Sequence, residues 1–234
     1  MRHDFWDRYA GLAGPVQGMD PRAKLLFVLA FVIAASGCPG GRPGVLAGLG
    51  ALLLPIAAAS GVPARYLLTR TLWVLPFLAA VAVGQRSGPV LAELAAKGLL
   101  SAMALVLLSS TTPFSTLLAG LSRLGAPSFF LAVLAFVYRY VFLLVDESER
   151  MVQGLVSRSM GRRPRLQVLA AGLGVLLVRT HERAERVYQA MLGRGFGGGF
   201  PPRRPLCWRA RDSVVLAAAG ALLAWISLIR WGAP

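Results

Sequence analysis

Two arginines stand where a guanidinium can act on a partner. Arg158 lies in Ser157-Arg158-Ser159 and Arg194 in Gly193-Arg194-Gly195, each at the C-terminal end of a long stretch with helical periodicity. A guanidinium presents a planar fork of N–H donors that holds a carboxylate through two parallel hydrogen bonds. Carried between small residues at a helix tip, such a fork can enter a groove. The plainer reading of one such arginine is complementarity with the helix dipole, worth about 0.3–1 kcal/mol, with Gly161 and Gly195 as C-terminal stops. That the device occurs twice, on consecutive helices, favours recognition.

The remaining reactive residues assemble no reaction centre. There is no G-x-x-x-x-G-K-[ST] stretch, so the chain has no phosphate-cradling loop of that kind. Gly195–Gly199 is glycine-rich but lacks the lysine and reads as a connector. His3 and His181 are the only histidines, and Cys38 and Cys207 the only cysteines. A transition-metal site needs several converging ligands, so no metal, cofactor or catalytic residue is assigned. Asp146, Glu147 and Glu149 form the one dense acidic group, which reads as a solvated helix face.

The elements that carry the arginines belong to a chain of membrane composition. Its 234 residues are 56% hydrophobic and 15% charged, whereas soluble domains carry about 25% charged residues. A net charge of +15 would suggest nucleic acid in a soluble protein. Here the arginines fall between long apolar blocks, where the positive-inside rule accounts for them, and no nucleic-acid partner is expected. Met1–Asp20 is polar, lacks a small-residue cleavage site and is kept as mature sequence.

Asp20 is a candidate N-cap and Pro21 suits the first helical position before an apolar block over 23–36. Further blocks cover 44–60, 66–84 and 90–111, the last with Glu93 and Lys97 spaced as an i,i+4 pair. Residues 112–123 form a short amphipathic stretch. Two long helices then cover 127–160 and 165–194, and a final apolar block covers 213–229. Because charges are scattered through the C-terminal halves of the long pair, neither reads as an ordinary transmembrane span. The expected fold is an all-α integral membrane protein of about five transmembrane helices plus two long cytoplasmic amphipathic helices. In domains, this is a four-helix bundle over 1–111, a cytoplasmic region over 112–205 and a C-terminal transmembrane helix over 206–234. The alternative is six spans, with 166–178 entering the bilayer, although thirteen residues fall short of the roughly 20 a crossing needs. Basic residues before the first block (Arg2, Arg8, Arg22, Lys24) and between the second and third (Arg65, Arg70) place the N-terminus and the long pair in the cytoplasm. The opposite turns hold only Arg42 and Arg86.

Each long helix has an apolar stripe for packing. In the first, Leu144, Ser148, Met151, Val152 and Leu155 align; in the second, Ala184, Val187, Tyr188, Met191 and Leu192. Leu155, Val187 and Met191 are the positions expected to hold the pair together. Asp146, Glu147, Glu149 and Arg150 lie opposite the first stripe. Glu182, Arg183, Glu185 and Arg186 lie opposite the second, facing water or a partner.

At these residues the chain resembles the transmembrane T component of energy-coupling factor (ECF) transporters, and within it the cobalt-type branch, CbiQ. The resemblance rests on Met19-Asp20-Pro21-Arg22-Ala23-Lys24-Leu25, on Tyr138-Arg139-Tyr140 leading to Asp146-Glu147-Ser148-Glu149-Arg150-Met151, and most specifically on the run from Arg179 to Phe196. It implies a non-catalytic scaffold in the cell (inner) membrane that couples two cytoplasmic ATPase subunits to a separate substrate-binding membrane subunit. Such proteins end their coupling helices in two Ala-Arg-Gly-like motifs whose arginines dock in grooves on the ATPases. Gly193-Arg194-Gly195 matches the second motif with Gly for Ala. Ser157-Arg158-Ser159 stands at the first and departs at both flanking positions. Cobalt and nickel both fit the resemblance. A membrane-embedded enzyme would need acidic or histidine clusters at the membrane surface. A secondary carrier would show inverted repeats and charges within spans.

Overall fold

The computed structural model describes residues 14, 16–38, 43–84, 88–158, 166–197 and 210–231. Among them every regular element is an α-helix: α1 (Pro21–Gly37), α2 (Pro43–Ala59), α3 (Ala64–Leu72), α4 (Leu75–Gly84), α5 (Gly88–Thr111), α6 (Phe114–Arg123), α7 (Ser128–Arg158), α8 (Leu166–Leu192) and α9 (Ala210–Trp231). Two compact units result, one from Met1–Leu124 with Arg203–Pro234, the other from Gly125–Pro202. The amphipathic α6 therefore belongs by contact to the unit that holds the apolar blocks.

In the first unit α1 is the central strut. Asp20 caps it, its carboxylate accepting the Arg22 N–H at 3.0 Å, with Pro21 following. Ala23, Phe27, Phe31, Ala34 and Ala35 are buried along it, against α5, α6 and α9. Glycines of α2 face its neighbours at ordinary packing distance: a Cβ on Gly48 would lie 3.7 Å from Trp225 of α9, and one on Gly50 would lie 3.6 Å from Leu100 of α5.

Polar contacts at the two ends of α1 fix the directions. At its start, Gln17 Nε2 donates to the Ser60 carbonyl at 2.7 Å, so α2 returns to that end. At its far end, Lys97 of α5 donates to the Cys38 carbonyl at 2.8 Å while pairing with Glu93 at 2.6 Å. Along the chain α1, α2, α3 with α4, and α5 thus alternate in direction, and α9 runs parallel to α1.

The third apolar block differs from expectation. Residues 66–84 are not one helix: α3 and α4 are separated by a turn at Trp73-Val74, with Val74 N–H bonded to Thr71 O and Phe77 N–H to Val74 O, both at 3.1 Å. Pro76 is the cause, because it has no N–H to donate and its ring clashes with the carbonyl four residues earlier, that of Leu72.

The second unit corrects a further expectation. By length and composition two helices among the described residues can cross a membrane, Val90–Thr111 and Ser128–Arg158. Up to Val145, α7 carries a single charge, Arg139; its charges gather in the half that follows.

Candidate docking site at the tips of a helical hairpin

In the second unit α7 and α8 pack against each other and run in opposite directions. Leu155 faces Gly172, whose added Cβ would lie 3.9 Å from Leu155 Cδ1, and Glu147 accepts from Arg179 at 3.1 Å. Moving down α7 from Glu147 to Leu155 moves back along α8 from Arg179 to Gly172. Glu147 was expected on a face offered to water or a partner; it instead joins the helices internally. Both side chains are partly exposed, so the pair contributes under about 1 kcal/mol.

Leu144, Ser148, Met151 and Leu155 are half-buried on α7, and Val187 and Met191 on α8. Val152, Ala184, Tyr188 and Leu192, assigned to the same stripes, are exposed. The inward faces are therefore narrower than periodicity suggests, and Val152, Tyr188 and Leu192 leave apolar surface uncovered next to each tip.

The α8 tip has a defined closure. Phe196 N–H bonds to Met191 O at 3.0 Å and Gly195 N–H to Leu192 O at 2.9 Å, with Gly195 at φ +76°. This is the Schellman arrangement, which consumes the loose carbonyls of the last turn and requires a residue free to take positive φ. Arg194 occupies the C-cap within it and its side chain is exposed. The backbone beneath the guanidinium is thus held on both sides. Gly193 is under no such constraint: an added Cβ would meet only Gln189 O at 3.6 Å and Ala190 O at 3.8 Å, ordinary contacts that admit alanine.

Arg158 is the last residue of α7 and is exposed. Ser157 Oγ beside it donates back to Gln153 O at 2.9 Å, which keeps the final turn closed. Ser159 and Gly161 lie outside the described residues, as does Cys207.

Antiparallel packing sends the two arginines to opposite ends of the hairpin. Measured from the level of the Glu147–Arg179 pair, Arg158 lies eleven residues along α7 and Arg194 fifteen along α8 in the other direction. At a rise of 1.5 Å per residue this separates them by roughly 40 Å. The two exposed guanidinium groups are therefore presented separately, one at each end of the hairpin. His181 is exposed on α8, and no three His, Cys, Asp or Glu side chains converge among the described residues.

Sequence reasoning missed the buried polar residues at the start of α1. By sequence Asp20 is a cap, Lys24 a flanking charge and Asp212 unremarked; all three are buried. Charges at the margins of apolar helices were the available signal.

Residues 14–206 match the family described as cobalt transport protein, CbiQ. Among curated relatives, the cobalt transport protein CbiQ of Rhodobacter capsulatus is 31% identical over 191 residues, covering 75% of this chain and 78% of that protein. The energy-coupling factor transporter transmembrane protein EcfT of Thermanaerovibrio acidaminovorans is 28% identical over 257 aligned residues, 95% of each chain. The nickel permease LarQ of Lactiplantibacillus plantarum is 31% identical over 122 residues, 52% of this chain; the match spans 44% of that relative, less than half its length.

Proposed function

Because the chain belongs to the CbiQ family of cobalt transport proteins, we propose that it is the transmembrane coupling subunit of an ECF-type transporter that imports a transition-metal ion, cobalt foremost. In this reading it catalyses nothing. Two cytoplasmic ATPase subunits dock on the hairpin, Arg194 in a groove of one and Arg158 in a groove of the other, and α7 and α8 carry their motion to a substrate-binding membrane subunit. Residues 1–111 and 206–234 are its membrane bundle and 112–205 its coupling region, with the N-terminus and the hairpin charges on the cytoplasmic side of the cell membrane.

The observation that carries this reading is the hairpin register, which holds two exposed arginines roughly 40 Å apart. One partner site cannot take both, whereas a pair of subunits can take one each. The exposed Val152, Tyr188 and Leu192 supply apolar surface beside each guanidinium, the composition of an interface core around a charged anchor. Nickel is the second reading, favoured by the match to the nickel permease over half of this chain. Purification of the chain from membranes that also express the ATPase and substrate-binding subunits tests the proposal. Two ATPase subunits per chain are expected, and purification without any would overturn it.

A further inference from the structure

Three buried charges, Asp20, Lys24 and Asp212, meet where α1 begins, α5 ends and α9 begins. Buried charge in a membrane protein is expensive and marks a function by default. Lys24 Nζ uses all three of its donors, to Thr112 Oγ1 at 3.1 Å, Thr111 O at 3.2 Å and Gln17 O at 3.5 Å. The Thr111 carbonyl is one of those left without an intrahelical partner at the end of α5, where the helix dipole also favours a cation. On the other side, the Asp20 N–H donates to Asp212 Oδ1 at 2.8 Å. Asp212 sits in the first turn of α9, where the dipole favours an anion, and its carboxylate attracts the Lys24 ammonium.

The apolar residues of the same motif hold a fourth helix. A Cβ on Gly120 of α6 would lie 3.2 Å from Pro21 Cβ and 3.3 Å from Leu25 Cδ1, so α6 rests directly on the first turns of α1. Asp20 therefore holds α9, Pro21 and Leu25 hold α6, and Lys24 holds α5. Along the chain, α5 and α6 lead into the hairpin unit at Gly125, and α9 follows soon after the chain leaves that unit at Pro202. The two helices that flank the hairpin unit in sequence, α6 before it and α9 after it, both rest on one short segment of α1.

We propose that Asp20–Leu25 is the anchor through which motion of the hairpin is delivered to the membrane bundle, with Lys24 as its central positioning residue. Fastening entry and exit together makes a pull on the hairpin move α1, α5 and α9 as one body; with the anchor open, the same pull displaces α6 or the start of α9 alone. The inference rests on the coupling reading and adds to it a place where coupling can fail while docking survives.

The experiment uses the whole complex reconstituted in vesicles, with cobalt ion as the transported probe and released phosphate as the measure of hydrolysis. Removing the hydrogen bonds of a buried ammonium shifts the balance between closed and open anchor by about tenfold, so Lys24→Met lowers cobalt taken up per ATP hydrolysed by as much as that factor. ATPase subunits still co-purify, since the hairpin tips are untouched. A merely structural role would reduce the amount of complex and leave the ratio of uptake to hydrolysis unchanged. Thr112→Val, which removes one acceptor and keeps the shape, lowers the ratio by a smaller factor and decides the matter if Lys24→Met fails to reach the membrane. An unchanged ratio in Thr112→Val, or in a Lys24→Met complex that assembles, overturns the anchor. Loss of ATPase subunits from the unsubstituted complex would instead overturn the coupling reading.

Discussion

Removing the two guanidinium tips, singly and together, is the most direct perturbation of the proposed site. Arg158→Ala and Arg194→Ala each delete a fork that is exposed in the free chain, so neither disturbs the fold. Bound in a groove against a carboxylate, each fork leaves a stranded charge when truncated, at about 2–5 kcal/mol, a weakening of docking of about 30-fold to several-thousand-fold. The separation of roughly 40 Å is far beyond the 7–10 Å over which substitutions usually couple. The two losses should therefore add, each single variant releasing one ATPase subunit and the double variant both. Arg194→Lys should recover docking only in part, because an ammonium cannot reproduce the planar fork. The assay is ATPase subunits retained per chain after purification, with cobalt uptake measured in the same membranes. Full uptake and full retention in the double variant would mean that the arginines only complement their helix dipoles. A double variant no worse than either single one would refute two independent contacts.

Other expected outcomes follow from the same geometry. Gly195→Ala places a Cβ at φ +76° and should cost the α8 tip about 1 kcal/mol or more, lowering ATPase retention with Arg194 intact; Gly193→Ala, which meets only ordinary contacts, should be neutral in the same measurement. Leu155→Asp puts a carboxylate against Gly172 at the helix crossing and should loosen the hairpin by a few kcal/mol, read as faster proteolysis between α7 and α8; an unchanged cleavage rate would show that Leu155 does not hold the pair together. For topology, Cys38 is buried and a poor reporter, so Ser36→Cys, at an exposed position near the same end of α1, is the better probe. It should react with a membrane-impermeant thiol reagent on intact cells, and protection there with labelling only after lysis would reverse the proposed orientation.

What the sequence made legible was local. The start of α1 is written in Asp20 and Pro21 and the end of α8 in Gly195, because capping is settled within a turn of helix. The break between α3 and α4 was also local, but Pro76 has two outcomes in a membrane helix: a kink that neighbouring groups re-satisfy, or a stop. The sequence does not say which; the turn at Trp73-Val74 does. The first half of α7 was hidden by averaging, since the charges from Asp146 onward dilute an apolar run that ends at Val145. Long-range facts were beyond reach. The separation of the arginines depends on a register set by Glu147 and Arg179, 32 positions apart. The anchor at α1 depends on Asp20 meeting Asp212 across 192. These non-local contacts give the local motifs their meaning. Two arginine tips side by side would form one site, whereas the same tips on antiparallel helices would form two. A cap and a flanking lysine read separately are commonplace, but closed over the ends of α5 and α9 they become the point where a membrane bundle can receive force.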